Sequence, residues 1–143
     1  MRHILCTLLI GASIAATAET ITVNSPDGRT AVTLSDKGGN LTYSLQRDGQ
    51  DYLMESPLGL YNNTAEMVNG LHLVSSDTTS VNRRYTQTRI KHAGGDYNAR
   101  RLVAKAVNAA GDTLGVEFSV ADNDVAFRYL VPRLKGGETG AML

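Results

Sequence analysis

From Thr20 onward the chain alternates apolar and polar residues with a period of two. This alternation restricts the possible folds more than any other feature of the sequence. The stretches "TITV", "TAVTLS", "NLTYSLQ" and "DTLGVEFSV" each place apolar side chains on one face and polar ones on the other, as a half-buried strand requires. Leu41, Tyr43 and Leu45 share one face against Thr42, Ser44 and Gln46. Leu114, Val116, Phe118 and Val120 stand opposite Gly115, Glu117 and Ser119. In "VAFRYLV", Val125, Phe127, Tyr129 and Val131 lie on one side, with Ala126, Arg128 and Leu130 on the other.

Turn signals separate these stretches at short intervals. "SPDG", Ser25 to Gly28, suits a turn with Pro26 at its first corner and Gly28 where positive φ is needed. Asp48-Gly49 in "RDGQ" is a two-residue hairpin signal, and "NAAGD", Asn108 to Asp112, closes a longer hairpin. "KGG" (Lys37 to Gly39) and "AGGDYN" (Ala93 to Asn98) read as loops. "ARRLVAKAVNA" lacks Gly and Pro and has helical composition, but a strand and a hairpin signal follow directly, which favours a strand. Successive short strands without intervening helices predict an all-β fold, an antiparallel β-sandwich. No internal repeat or low-complexity linker interrupts it.

Residues 1–18 stand apart. Met1-Arg2-His3 is a short basic start, and the apolar run "ILCTLLIGASIAA" carries no acidic residue. Ala16 and Ala18 then put small side chains at −3 and −1 before Glu19, so the segment reads as a secretory signal peptide. The run is short for a bilayer core, which needs about 20 residues. Cys6 lies too near the start to be a convincing lipid-attachment site. It is also the only cysteine, so residues 19–143 contain none. An exported domain without disulfides fits a bacterial periplasm better than a disulfide-stapled scaffold. In that setting the Asn40 and Asn62 triplets, "NLT" and "NNT", are chance matches to a glycosylation signal. Loss of Arg2 with the leader leaves 13 basic residues against 14 acidic ones, with no basic run. Nucleic acid and anionic membrane are therefore poor partners.

Catalytic templates are absent: no GxSxG, no phosphate-binding glycine loop and no HExxH occurs. His72 and His92 lack a second ligand at metal-binding spacing and read as surface or strand-face residues. Asp122-Asn123-Asp124 has the oxygen content of a calcium loop but runs straight into a strand. It reads as a tight turn whose Asx side chains bond their own backbone. Asp96 in "GGDYN" reads as a loop residue rather than an acid catalyst. Arg128 lies between apolar neighbours, so a structural carboxylate or carbonyl partner is expected for it, because an unpaired buried charge is costly. Tyr43, Tyr52, Tyr61, Tyr85, Tyr97 and Tyr129 are able to stack on sugar rings. Strand-borne tyrosine is more often core or half-core, and the chain has no tryptophan. No catalytic, metal-binding or cofactor-binding position is assigned from the residues, and no substrate-binding residue is identified.

Taken together, Ile21 to Leu60, with SPDG, LTYS, the Asp-Gly hairpin and SPLGL, resemble the opening of the N-terminal domain of glycoside hydrolase family 97. "DYN" (Asp96 to Asn98) and "VEFSVADNDVAFRYLVP" (Val116 to Pro132) resemble that domain's later strands in the same order. Two departures occur: Val125 directly follows Asp124 where the family shows glycine, and "YNARRL" lacks an acidic residue after Tyr-Asn. The resemblance implies part of a galactose-mutarotase-like β-supersandwich, preceding a (β/α)8 barrel absent from this chain. It further implies α-glucosidase or α-galactosidase chemistry on α-linked oligosaccharides, with calcium in the parent enzyme and its catalytic carboxylates in the barrel. No calcium or catalytic residue is expected on this chain. "RLKGGETGAML" shows no closing strand, so Leu143 is expected to interrupt a longer domain whose strand edges and apolar surface would then be exposed. The competing expectations are a free-standing sugar-binding sandwich and a surface domain that binds no sugar.

Overall fold

The computed structural model describes residues 19–61, 65–86 and 94–131. Residues 1–18, the Asn62 triplet, His92, Ala93 and the segment after Val131 lie outside these residues. Ten strands account for nearly all of the described chain, and all strand pairing is antiparallel. The first sheet is a meander of β1 (Thr20–Asn24), β2 (Thr30–Ser35), β3 (Thr42–Arg47) and β4 (Gln50–Pro57). A two-stranded ribbon, β5 (Leu60–Tyr61) with β6 (Glu66–Met67), leads to the second sheet. That sheet is a second meander, β7 (His72–Tyr85), β8 (Gly95–Val107), β9 (Thr113–Ala121) and β10 (Val125–Leu130). The expected antiparallel sandwich is thus observed, and "ARRLVAKAVNA" falls mainly within strand β8.

The turns follow from local chemistry. Asp48 and Gly49 both take positive φ, 52° and 77°, as a two-residue mirror-image turn demands. The turn places Arg47 opposite Gln50 and so sets the β3–β4 register. The Gly28 N–H donates to Ser25 C=O at 3.0 Å, closing the turn with Pro26 at its first corner and Gly28 at φ 75°. In the β8–β9 hairpin the Asn108 N–H donates to Asp112 C=O at 3.1 Å, and Asn108 Oδ1 accepts the Asp112 N–H at 2.9 Å.

The core lies between the two sheets. Val23, Val32, Leu34 and Leu41 from the first meander meet Leu102, Ala104, Leu114, Val116, Phe118 and Val120 from the second. Leu58, Met67 and Leu71 close the end near the ribbon. The face predicted for β9 is therefore the buried one, with Phe118 fully enclosed. Removing an aromatic ring of this size from water contributes about 1.5–3 kcal/mol. Phe118 also packs against Tyr43 and Phe127, with ring centroids 5.4 and 5.6 Å away.

Three expectations need correction. Gly95 to Asn98 are not loop but the start of β8, paired with Asn82 to Tyr85 of β7. Glycine twice in succession suggested a loop, whereas the long partner strand β7 supplies a ladder that overrides the local preference. Tyr52, Tyr61 and Tyr85 are not half-core; they are 67%, 57% and 52% exposed. Asp122 to Asp124 do form a tight turn, with the Ala121 N–H donating to Asp124 C=O. However, the Asp122 carboxylate bonds the Asp27 N–H of the opposite sheet at 2.9 Å rather than its own backbone.

Arg47 completes that link between the sheets. Its Nη1 donates to Asp122 C=O at 2.7 Å and to Thr30 Oγ1 at 3.2 Å, while Nη2 reaches Asn123 Oδ1 at 3.4 Å. At the other end, Asp36 is 4% exposed and accepts N–H bonds from Glu19 and Leu73, tying the first meander to β7.

Candidate functional site

The outward face of the second sheet carries a polar concavity. Strand alternation directs Leu102, Ala104, Val116 and Phe118 inward, so Tyr97, Arg101, Glu117 and Ser119 point outward. Cross-strand register sets Arg83 opposite Tyr97 and Arg128 opposite Glu117. These residues line a cleft of about 340 Å³. The size lies at the lower end of ligand-pocket volumes.

Two of its polar contacts are internal. Arg128 Nη2 donates to the Glu117 carboxylate at 3.0 Å, and the Tyr97 and Ser119 hydroxyls meet at 2.9 Å. The structural carboxylate partner expected for Arg128 is therefore Glu117, although the guanidinium is 66% exposed rather than covered. Arg101 is different. Its Nε is buried and has no hydrogen-bond partner, the unusual case of a donor withdrawn from water without compensation. Three arginines against the single lining carboxylate of Glu117 make the cleft cationic. Its chemistry suits an oxygen acceptor: a carboxylate, a backbone carbonyl or a hydroxyl-rich ligand.

Glycosidic hydrolysis ordinarily uses two carboxyl groups flanking one bond, about 5–9.5 Å apart. Glu117 alone does not supply them.

Asp96 and the Asp122–Asp124 turn, distant in sequence, line one smaller cleft of about 200 Å³. Several of their oxygens are already engaged. Arg84 Nε donates to Asp96 Oδ1 at 2.8 Å, Asp122 accepts the Asp27 N–H, and Asn123 accepts from Arg47. Among the described residues no three His, Cys, Asp or Glu side chains converge as metal ligands would. Among the described residues this donor set therefore does not fit calcium. His72 opens β7 with its side chain 58% exposed and Nδ1 3.8 Å from Asp36 Oδ2.

Exposed carboxylates elsewhere are tuned by local bonds. The Ser25 hydroxyl, then the Arg29 N–H, hold Asp27 below the usual carboxylate range. The Arg29 guanidinium, bonded to both oxygens of Asp48 at 2.7 Å, lowers that carboxyl in the same way. Arg47 and Asp36, which tie the two meanders together, and Arg101, which lines the outward cleft, are residues that sequence reasoning did not single out. The only prior signals were Asp36 ahead of a glycine pair and Arg47 ahead of the Asp-Gly turn.

With the geometry in hand, comparison with known proteins is informative. Residues 23–141 match the family model described as "Glycosyl-hydrolase 97 N-terminal". Over 142 residues the chain is 30% identical to "Probable retaining alpha-galactosidase" of Streptomyces bingchenggensis (strain BCW-1), covering 94% of this chain and 22% of that protein. A solved β-arabinopyranosidase structure superimposes with a TM-score of 0.76 at 34% identity, over 81% of this chain and 19% of the other. A glycoside hydrolase family 97 enzyme of Pseudoalteromonas sp. strain K8, solved with acarbose, matches with a TM-score of 0.79. At 24% identity over 85% of this chain and 19% of that one, this likeness speaks for the fold. The chain thus spans about a fifth of the length of these relatives. The two-meander sandwich and the match over residues 23–141 lead to one conclusion: the chain belongs to the glycoside hydrolase family 97 N-terminal domain family.

Proposed function

We propose that this chain is the N-terminal, carbohydrate-associated sandwich of an exported α-glycosidase of α-galactosidase or α-glucosidase type. In this reading it braces and shapes the active site of a catalytic barrel formed by other polypeptide of the same enzyme. The observation that carries the reading is the coverage: nearly the whole chain matches a glycosidase relative, yet only 22% of that relative is accounted for. The bulk of the chemistry then belongs to the other four-fifths. The outward cleft agrees with this role, since Arg101 Nε needs an acceptor that the described residues do not provide. Calcium belongs to this proposal as a constituent of the parent enzyme, with its ligands outside the described residues.

The proposal is tested by assaying the 143-residue chain and the longer protein encoded with it on chromogenic α-galactosides and α-glucosides. The longer protein is expected to turn over at least one of them and the chain alone none. Turnover by the purified chain would refute the supporting role.

A second reading, a free-standing carbohydrate-binding sandwich, is favoured by the exposure of Tyr52, Tyr61 and Tyr85. Aromatic faces left open to solvent suit stacking on sugar rings. Calorimetric titration of the chain with maltose-type and melibiose-type oligosaccharides discriminates the two. Micromolar binding by a monomeric, cooperatively unfolding chain would favour the binding module.

A further inference from the structure

Asp36 is a buried carboxylate whose partners leave it short of a cation. Its Oδ1 accepts the Glu19 N–H at 2.7 Å and its Oδ2 the Leu73 N–H at 2.9 Å. Among the described residues the sole basic side chain within 4 Å is His72, at 3.8 Å and largely in solvent. A second bond, Asp36 N–H to Glu19 C=O at 3.2 Å, fixes residue 19 against residue 36. Residue 19 is therefore tied to residue 36 by two bonds, one of which sets its nitrogen on the carboxylate.

That nitrogen is also the one that leader removal would free. Ala16 and Ala18 supply the small residues at −3 and −1, and Glu19 itself is exposed. Hydrolysis of the Ala18–Glu19 bond consumes one water. The carbonyl carbon of Ala18 gains the hydroxyl and becomes a carboxylate. The Glu19 nitrogen gains the water's other hydrogen and, at neutral pH, a second proton given up by the new carboxyl group, which leaves it positively charged.

We infer that Asp36 is the receptor for the processed N-terminus, its carboxylate forming an ion pair with the new α-ammonium of Glu19. Processing then converts a neutral N–H donor at 2.7 Å into a charged one in the same place, without moving the chain. Charge-assisted bonds of this kind are roughly twice as strong as neutral ones. The desolvation of Asp36 is already incurred by its burial, so the added charge meets a preformed partner. Since Asp36 also holds Leu73, the pair fastens the start of β1 to the start of β7 across the sandwich. The inference rests on the proposed export of the protein.

The test is to produce the chain in an exporting bacterial host and determine its N-terminus by intact-mass spectrometry. The α-amine is then titrated through its acylation rate as a function of pH. The expected terminus is Glu19, with the amine titrating at least one unit above the usual value of about 7.7–8.0. Because that value is raised on folding, the stabilisation is complete below pH ~7.7 and is lost as pH rises through the raised value. The melting temperature should accordingly fall between pH 8 and 10. Asp36→Asn should return the amine to its usual range. Should that variant fail to fold, a processed chain with one extra glycine before Glu19 keeps Asp36 while displacing the ammonium, and should also lose the shift.

A leader that stays attached would overturn both this inference and the export reading. Removal at any other bond would overturn the inference while leaving export standing. A Glu19 amine that titrates as an ordinary terminal amine would refute the ion pair alone.

Discussion

Arg47→Met probes how much of the sandwich depends on the single guanidinium that crosses between the sheets. The substitution keeps an apolar stem of similar length, so the loss is confined to the head group. The principal bond broken is Nη1 to Asp122 C=O at 2.7 Å, and bonds from a charged donor of this kind are worth about 1.5–3 kcal/mol. The contacts to Thr30 at 3.2 Å and Asn123 at 3.4 Å are longer and add little. The side chain is 25% exposed, so water recovers part of the loss, and the net cost is about 1.5–2 kcal/mol. For a chain of this size that corresponds to a fall in melting temperature of roughly 5–10 °C. Arg47→Lys retains a charge but not the planar fork, so about half the loss is expected. Urea unfolding followed by far-UV circular dichroism measures both variants; the chain lacks tryptophan, which makes fluorescence a weaker probe. An Arg47→Met chain within 0.5 kcal/mol of the parent, or a lysine variant as damaged as the methionine one, would refute the reasoning.

Three further predictions follow from other parts of the molecule. A Cβ on Gly115 would lie 2.8 Å from both Leu130 Cβ and Leu130 C=O, so Gly115→Ala should destabilise by about 1–3 kcal/mol in the same urea experiment. Asp27 and Asp48 are both held below their usual range, so the stability they contribute is present above pH ~3.9 and is lost as pH falls through their lowered values. Melting temperature measured from pH 6 to pH 2 should show a decline that is shallower in Asp27→Asn. Arg101→Met removes a buried donor without a partner; the chain should unfold at the same or a higher urea concentration, while in the proposed full-length glycosidase the same change should lower activity on an α-glycoside. Equal loss in both settings would argue against an acceptor outside the described residues.

Much of the fold is legible in the residues because period two, once established, decides which side chains face the core. Leu114, Val116, Phe118 and Val120 are the clearest case, predicted as one face and found fully buried. The Asp48-Gly49 turn is similarly self-determined, since positive φ at two successive residues leaves few sequences and one register. Strand β7 gave no such signal. Leu73 alone among its fourteen residues is buried, and Ser, Thr and Asp dominate both of its faces. Its strand character comes from the ladder with β8, a non-local pairing. The same ladder carries Gly95 and Asp96 into a strand that their composition opposes.

The sequence by itself determined the secondary-structure period and the turns, because each depends on residues near one another along the chain, and the family, because its motifs follow one another in order from Ile21 to Pro132. Only the tertiary structure decided where the charged groups go. Arg47 meets the Asp122 carbonyl across 75 positions, Asp36 meets Leu73 across 37, and Arg101 joins Tyr97, Glu117 and Arg128 in one cleft through strand register. A guanidinium or carboxylate takes whatever partner burial places within about 3 Å, and that distance is set by how two sheets pack. No local pattern records it.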